Sequence, residues 1–181
     1  MIEILSPGAR TAVAFRSPVI PVVSLPDIAS TLAAARAIAE GGGDIVEITL
    51  RHPAAVEAIR AVAEAVPGLV VAAGTVLTAA QVDEVHAAGA TLVVSPGTAA
   101  GVLDRAAALG LAAIPGVATP TEAMAVAAGG YRLAKFFPAV PAGGTGWLKA
   151  VGSVLPDLAF CPTGGVTAEN LRTFLALPNV V

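Results

Sequence analysis

"DIVEITLRHPAAVEAIRAVAEAVPGLVVAAGT", residues 44–75, joins two short apolar runs, 44–50 and 69–75, through a longer alanine-rich stretch. Both runs are apolar nearly throughout instead of alternating, as parallel strands covered on both faces require. Parallel neighbours need a crossover, and the stretch between them is long enough to be a helix. Similar runs recur on either side, at 19–24, 91–97, 111–117, 132–138 and 158–165. The pattern is a series of seven β–α units. It predicts an α/β fold with a parallel sheet, and the number of units favours a closed (β/α)8 TIM barrel over an open doubly wound sheet. Residues 1–181 then form a single barrel domain. The chain reaches "ALPNVV" (176–181) just as an eighth strand would begin, so the expected barrel lacks that strand and its final helix.

The helices between the runs carry recognisable starts and stops. "TAAQ" (78–81) and "TPTE" (119–122) read as capping boxes, the second with Pro120 at the first helical position. Asp27 and Thr167 are candidate N-caps for the helices that follow them. "EGGGD" and "HAAGA" place glycine where helices should stop.

Composition narrows the function. The chain is 56% hydrophobic, 13% charged and 4% aromatic, with a net charge of −3. A nucleic-acid platform would want basic and aromatic residues together, so no such partner is expected. One cysteine, Cys161, excludes an internal disulfide framework and fits a reducing compartment. "MIEILSPGAR" has no secretory pattern, and every apolar segment is cut by Gly, Pro, Thr or a charge. No membrane span is expected, and the predicted location is the cytoplasm. Neither GxGxxG nor GxxxxGK[ST] occurs, which removes the commonest nucleotide readings. His52 and His86 lack metal-ligand spacing and read as structural, as Cys161 reads as core, so no metal is expected.

In such a barrel the C-terminal strand ends build the active site. They read "EITLRH", "AAGTV", "VSPGT", "IPGVAT", "KFFPA" and "PTGGV". Period-two alternation groups Glu47, Thr49 and Arg51 on one face, and Leu133, Lys135 and Phe137 on another. It also groups Ala73 with Thr75, and Cys161 with Thr163. Only two of the ten basic residues are lysines, and Lys135 sits inside an apolar run where a charge is costly to bury. Apolar surroundings favour the neutral amine, which can attack a ketone to form a Schiff base, while a carboxylate such as Glu47 shuttles protons. A structural ion pair is an equally open reading of Lys135 and Glu47. Arg51 fits either an anionic ligand or a surface cap, and Thr75 and Thr163 fit either a ligand or strand-end backbone groups. "PTGGV" offers Gly164 and Gly165 as backbone donors to a phosphate at a helix start, or else an ordinary βα turn.

Taken jointly, "GGGDIVEITLRHPAAVEAIR", "AAGTVLT", "VVSPG", "IPGVATPTE", "AKFFPA" and "FCPTGG" resemble, in order and spacing, the 2-keto-3-deoxy-6-phosphogluconate aldolases. The chain is similar to these class I pyruvate aldolases from about residue 16 to its end. The resemblance implies reversible cleavage of 2-keto-3-deoxy-6-phosphogluconate to pyruvate and glyceraldehyde 3-phosphate, in a homotrimer without metal or cofactor. It gives Lys135 the Schiff base and Glu47 the acid–base work. It places Arg51, Thr75 and Thr163 around the pyruvyl carboxylate, Pro96 and Phe137 along the pocket, and Gly164 and Gly165 at the phosphate. "AAGT" departs from the usual "GAGT", and the family's Gly-Gly-Ser turn after strand eight is absent from these residues. Alternatives are a related pyruvate aldolase, acting on 6-phospho-2-dehydro-3-deoxygalactonate or 4-hydroxy-2-oxoglutarate, and a catalytically silent trimeric scaffold.

Overall fold

A computed structural model describes residues 1–4, 6–9 and 13–181. It begins with an element that the sequence pattern did not suggest, an antiparallel hairpin of β1 (Ile2–Ile4) and β2 (Val13–Phe15). The β–α series follows in order: β3 (Val22–Val23), α1 (Ile28–Glu40), β4 (Ile45–Thr49), α2 (Ala55–Ala65), β5 (Val70–Gly74), α3 (Ala79–Ala87), β6 (Leu92–Val94) and α4 (Ala100–Leu109). The fifth strand is broken into β7 (Ala112–Ile114) and β8 (Gly116–Val117). Then come α5 (Pro120–Ala128), β9 (Leu133–Phe136), α6 (Gly144–Val154), β10 (Ala159–Pro162) and α7 (Leu171–Leu175).

The strands pair in parallel as β3-β4-β5-β6-β7 and β8-β9-β10. Pro115 separates β7 from β8 because it has no N–H for the ladder, yet its carbonyl accepts from Lys135 N at 2.8 Å and carries the wall across. Gly116 lets the bent strand approach β6: a Cβ there would fall on the Pro96 backbone and within 2.5 Å of Gly97 N. At the eighth position Val180 forms a single parallel bridge with Phe160, supported by Phe160 N to Asn179 O at 2.8 Å and Val181 N to Phe160 O at 3.1 Å. Among the described residues nothing pairs with the outer edge of β3.

Alternation divides each strand between two layers. Val46, Ile48, Val71, Ala73 and Val93 face the helices and share one buried cluster with Ile59, Val62, Val82 and Val85. Ile45, Ala72, Leu92, Ala112 and Leu133 face inward, and the hairpin's Ile4, Val13 and Phe15 fill the barrel's N-terminal end against them. Burying Phe15 in this way is worth about 1.5–3 kcal/mol. The hairpin region is also tied down by polar groups. Ala113 N donates to Ser6 Oγ at 3.0 Å, and Asp44 accepts from Arg16 N at 2.7 Å and Ser17 N at 3.0 Å.

The caps follow the sequence expectations at three helices. Asp27 accepts from Ser30 N at 2.8 Å, and both capping boxes, Thr78 with Gln81 and Thr119 with Glu122, are formed. Thr167 is not an N-cap. The short last helix begins only after Asn170, whose Oδ1 accepts from Thr167 N at 2.8 Å and whose Nδ2 donates to Gly165 O at 2.9 Å. Asn170 thereby ties a turn, in which Leu171 N also donates to Thr167 O at 2.9 Å, ahead of the helix.

Candidate active site

Glu47 and Lys135 lie on β4 and β9, the second and sixth strands of the wall, facing each other across the barrel interior. Lys135 Nζ donates to Glu47 Oε1 at 3.0 Å and approaches Oε2 at 3.4 Å. Only 6% of Lys135 and 4% of Glu47 is exposed. Each sits one inner step above an apolar residue, Ile45 on β4 and Leu133 on β9. The pair is therefore where the packed plug ends and polar chemistry begins. An amine and a carboxylate at this separation can pass one proton directly, leaving a neutral nucleophile beside a carboxylic acid.

The neighbours come from adjoining strands. The Phe137 ring centroid is 5.7 Å from Lys135 Nζ, giving the amine an aromatic face at one side. Cys161 is in register with Lys135 on β10. Burial, and then the Glu47 carboxylate, push its thiol up to about 11, with Lys135 and a hydrogen bond from Thr163 opposing. Sequence reasoning counted Cys161 as core; it packs against the inner apolar cluster and also borders the site as an un-ionised thiol. Its inward phase, shared with Thr163, was the available signal.

Thr163 lies just past β10. Its N donates to Phe136 O at 2.9 Å and its carbonyl accepts from Ala139 N at 2.7 Å, fixing the residue while its side chain faces a cavity. That cavity, of about 370 Å³, is lined by Glu47, Cys161, Thr163 and Gly164 at one end and by Ile2 and Phe15 at the other. Val22 and Val180 also line it, and of the ion pair it is Glu47 that it touches. Gly164 and Gly165 take left-handed φ values of 98° and 79°, which glycine adopts without strain. Gly164 also packs on the Phe137 ring. Among the described residues neither glycine N–H donates to a backbone carbonyl. The helix-start reading of "PTGG" does not hold, because the five-residue α7 begins six residues after Gly165. The loop amides themselves are what an anion would meet.

The remaining candidates are positioned less directly. Arg51 is exposed in the turn after β4 and makes no ion pair among the described residues. Pro96 is half-buried beyond β6, against Gly116. Thr75 is half-buried with φ 58°, past the end of β5. It is not in phase with Ala73, which packs outward against the helices. The inward residues of β5 are Val70, Ala72 and Gly74, and Gly74 lies against Glu47.

Comparison with known proteins gives the family and the fold. Residues 11–181 match the family described as KDPG and KHG aldolase. A 2-dehydro-3-deoxy-phosphogluconate aldolase of Pseudoalteromonas atlantica is 43% identical over 165 residues, 91% of this chain and 77% of that protein. The KHG/KDPG aldolase of Escherichia coli K12 is 40% identical over 164 residues, again 91% and 77%. Among solved structures, the KDPG aldolase of Legionella pneumophila superposes with a TM-score of 0.87 at 41% identity, covering 91% of this chain and 80% of that one. In it, pyruvate is captured at low pH as a covalent carbinolamine intermediate. The Zymomonas mobilis ZM4 enzyme, holding 3-phosphoglycerate, gives a TM-score of 0.86 at 41% identity, with coverage of 91% and 78%.

Proposed function

The chain belongs to the KDPG and KHG aldolase family and is a carbon–carbon lyase cleaving 2-keto-3-deoxy-6-phosphogluconate, and we propose that Lys135 and Glu47 carry its chemistry. The observation that carries the assignment is the buried Lys135–Glu47 contact of 3.0 Å.

The reaction then runs as follows. Glu47 takes a proton from Lys135, and the neutral Nζ attacks the C2 ketone to give a carbinolamine. Protonated Glu47 gives its proton to the carbinolamine hydroxyl, which leaves as water, and a protonated iminium remains at C2. Glu47, now a carboxylate again, removes the C4 hydroxyl proton directly or through a water. The C3–C4 bond breaks, its electron pair passes into the iminium, and glyceraldehyde 3-phosphate departs. The resulting enamine takes a proton at C3, and hydrolysis releases pyruvate and the free lysine. The Phe137 face shields one side of the imine from bulk water.

Thr163, Thr75 and Arg51 are assigned to the pyruvyl carboxylate, with Pro96 and Phe137 as pocket walls. The paired left-handed glycines, Gly164 and Gly165, are assigned to the substrate phosphate through their N–H groups. Phosphorylated 2-keto-3-deoxy acids and pyruvate are thus the partners, and 4-hydroxy-2-oxoglutarate is a second substrate in keeping with the family's name. A homotrimer in the cytoplasm completes the proposal. Among the described residues no helix is long and apolar enough to cross a membrane.

The decisive experiment is incubation with pyruvate and sodium borohydride, followed by peptide mass spectrometry. A reduced pyruvyl adduct on Lys135, absent in Lys135→Ala, is the expected result. A folded protein without any adduct would overturn the assignment. Sedimentation equilibrium tests the trimer.

A further inference from the structure

We infer that Gly74 is a positioning residue: by carrying no side chain on the inner face of β5, it leaves the space through which Glu47 reaches Lys135. Its catalytic consequence rests on the Schiff-base reading, whereas its structural consequence rests on packing alone. A Cβ at Gly74 would fall on Glu47 Oε1 and lie 2.6 Å from Cγ and 2.7 Å from Cδ. Carbon atoms are comfortable only near 3.5–4.0 Å, so the side chain would have to move.

Register explains the conflict. Glu47 pairs with Ala72 and Thr49 with Gly74, so the Glu47 side chain runs up the barrel past position 74 before meeting the amine. Backbone conformation does not call for glycine here, because Gly74 is absent from the glycines with positive φ, in contrast to Gly164 and Gly165. Space is the remaining reason. Ala72 occupies the preceding inner position of β5 and is fully buried there, so small residues line the inner face of this strand and its last position is reduced to hydrogen.

The displaced carboxylate has space to enter: a cavity of about 370 Å³ borders Glu47 beside Cys161 and Thr163. A methyl group at position 74 forces the carboxylate out of its present place and so breaks the 3.0 Å contact with Nζ. The lysine keeps its place on β9, so the nucleophile survives while its proton partner is lost.

The test introduces Gly74→Ala into three backgrounds: native, Glu47→Gln, and the double variant Glu47→Ala/Lys135→Met, which buries no unpaired charge. The clash is steric, so the melting temperature falls by several degrees in the first two and by ~1 °C or less in the third. In the native background kcat for cleavage falls by about 10²-fold or more, the scale of a lost general acid–base. Borohydride still traps pyruvate on Lys135 in that variant, but more slowly than in the native protein, because Glu47 no longer takes the amine's proton. An equal drop in melting temperature in all three backgrounds overturns the inference, as does a kcat within about threefold of native. If the native protein itself traps no pyruvate, the Schiff-base reading fails, and the three melting temperatures still decide the steric claim.

Discussion

The barrel interior has two levels that differ in kind although the same strands build both. At the lower level Ile45 and Leu133 join Ile4, Val13 and Phe15 in a dry plug. Two residues further along the same strands, Glu47 and Lys135 form an ion pair, and Cys161 and Thr163 border a cavity. The lower level stabilises by apolar burial, whereas the upper one holds two charges that must satisfy each other. Rigid packing beneath a charged pair is also how a reacting amine is kept within reach of its proton partner.

The largest effect comes from breaking the upper level on one side. Lys135→Met abolishes aldol cleavage and leaves Glu47 buried without a partner, at a cost of about 3–5 kcal/mol. Adding Glu47→Met extends the apolar plug upward and recovers most of that stability, since replacing a whole buried pair by apolar groups is often near neutral. Urea melts of the two variants beside a cleavage assay check both halves. Failure of the second change to recover stability would show that the pair does more for the fold than neutralise itself.

Breaking the lower level has the opposite signature. Leu133→Ala and Phe15→Ala each cost about 2–5 kcal/mol, while cleavage per folded molecule stays close to native. Active-site titration with pyruvate and borohydride, normalised to the folded fraction, measures this. A large loss in Leu133→Ala molecules that remain folded would mean that the two levels are coupled.

The comparison sharpens at the link between hairpin and barrel. Burial raises the Asp44 pKa, but hydrogen bonds from Ser17 and Arg16 outweigh it and hold the carboxyl well below the usual range. A depressed carboxylate adds stability that is fully present above its unfolded value and is lost as pH falls through the folded one. Acid melts of the native protein should therefore lose stability below roughly pH 4, and Asp44→Asn should flatten that limb. Asp44→Ala costs about 1–3 kcal/mol at neutral pH through the unmet Arg16 and Ser17 N–H groups. The smallest effect lies outside the barrel: Thr119→Ala removes an N-cap and costs about 1 kcal/mol without touching cleavage.

Much of this architecture was legible because its signals are local. The apolar runs became β4, β5 and β9 within a residue or two and β10 within three, and the "TAAQ" and "TPTE" boxes formed as written. The hairpin was not legible: three residues in each of β1 and β2 give too little periodicity to stand out. The phase of β5 misled for a related reason. Val-Val-Ala-Ala-Gly offers no polar contrast, so nothing in the run says that Gly74, and not Ala73, faces the site. Thr167 was a reasonable cap by type, but residues 167–170 form a turn tied by Asn170, and the helix starts only after it.

The sequence by itself determined the order of β–α units, the caps and the presence of one lysine in an apolar strand, since each depends on residues a few positions apart. Only the tertiary structure decided that this lysine meets Glu47 at 3.0 Å across 88 residues of chain. That distance is set by how the wall curves, by the plug on which both strands rest, and by a missing methyl group on β5. No local pattern encodes any of these, because each is a relation between strands that become neighbours only after the wall has formed.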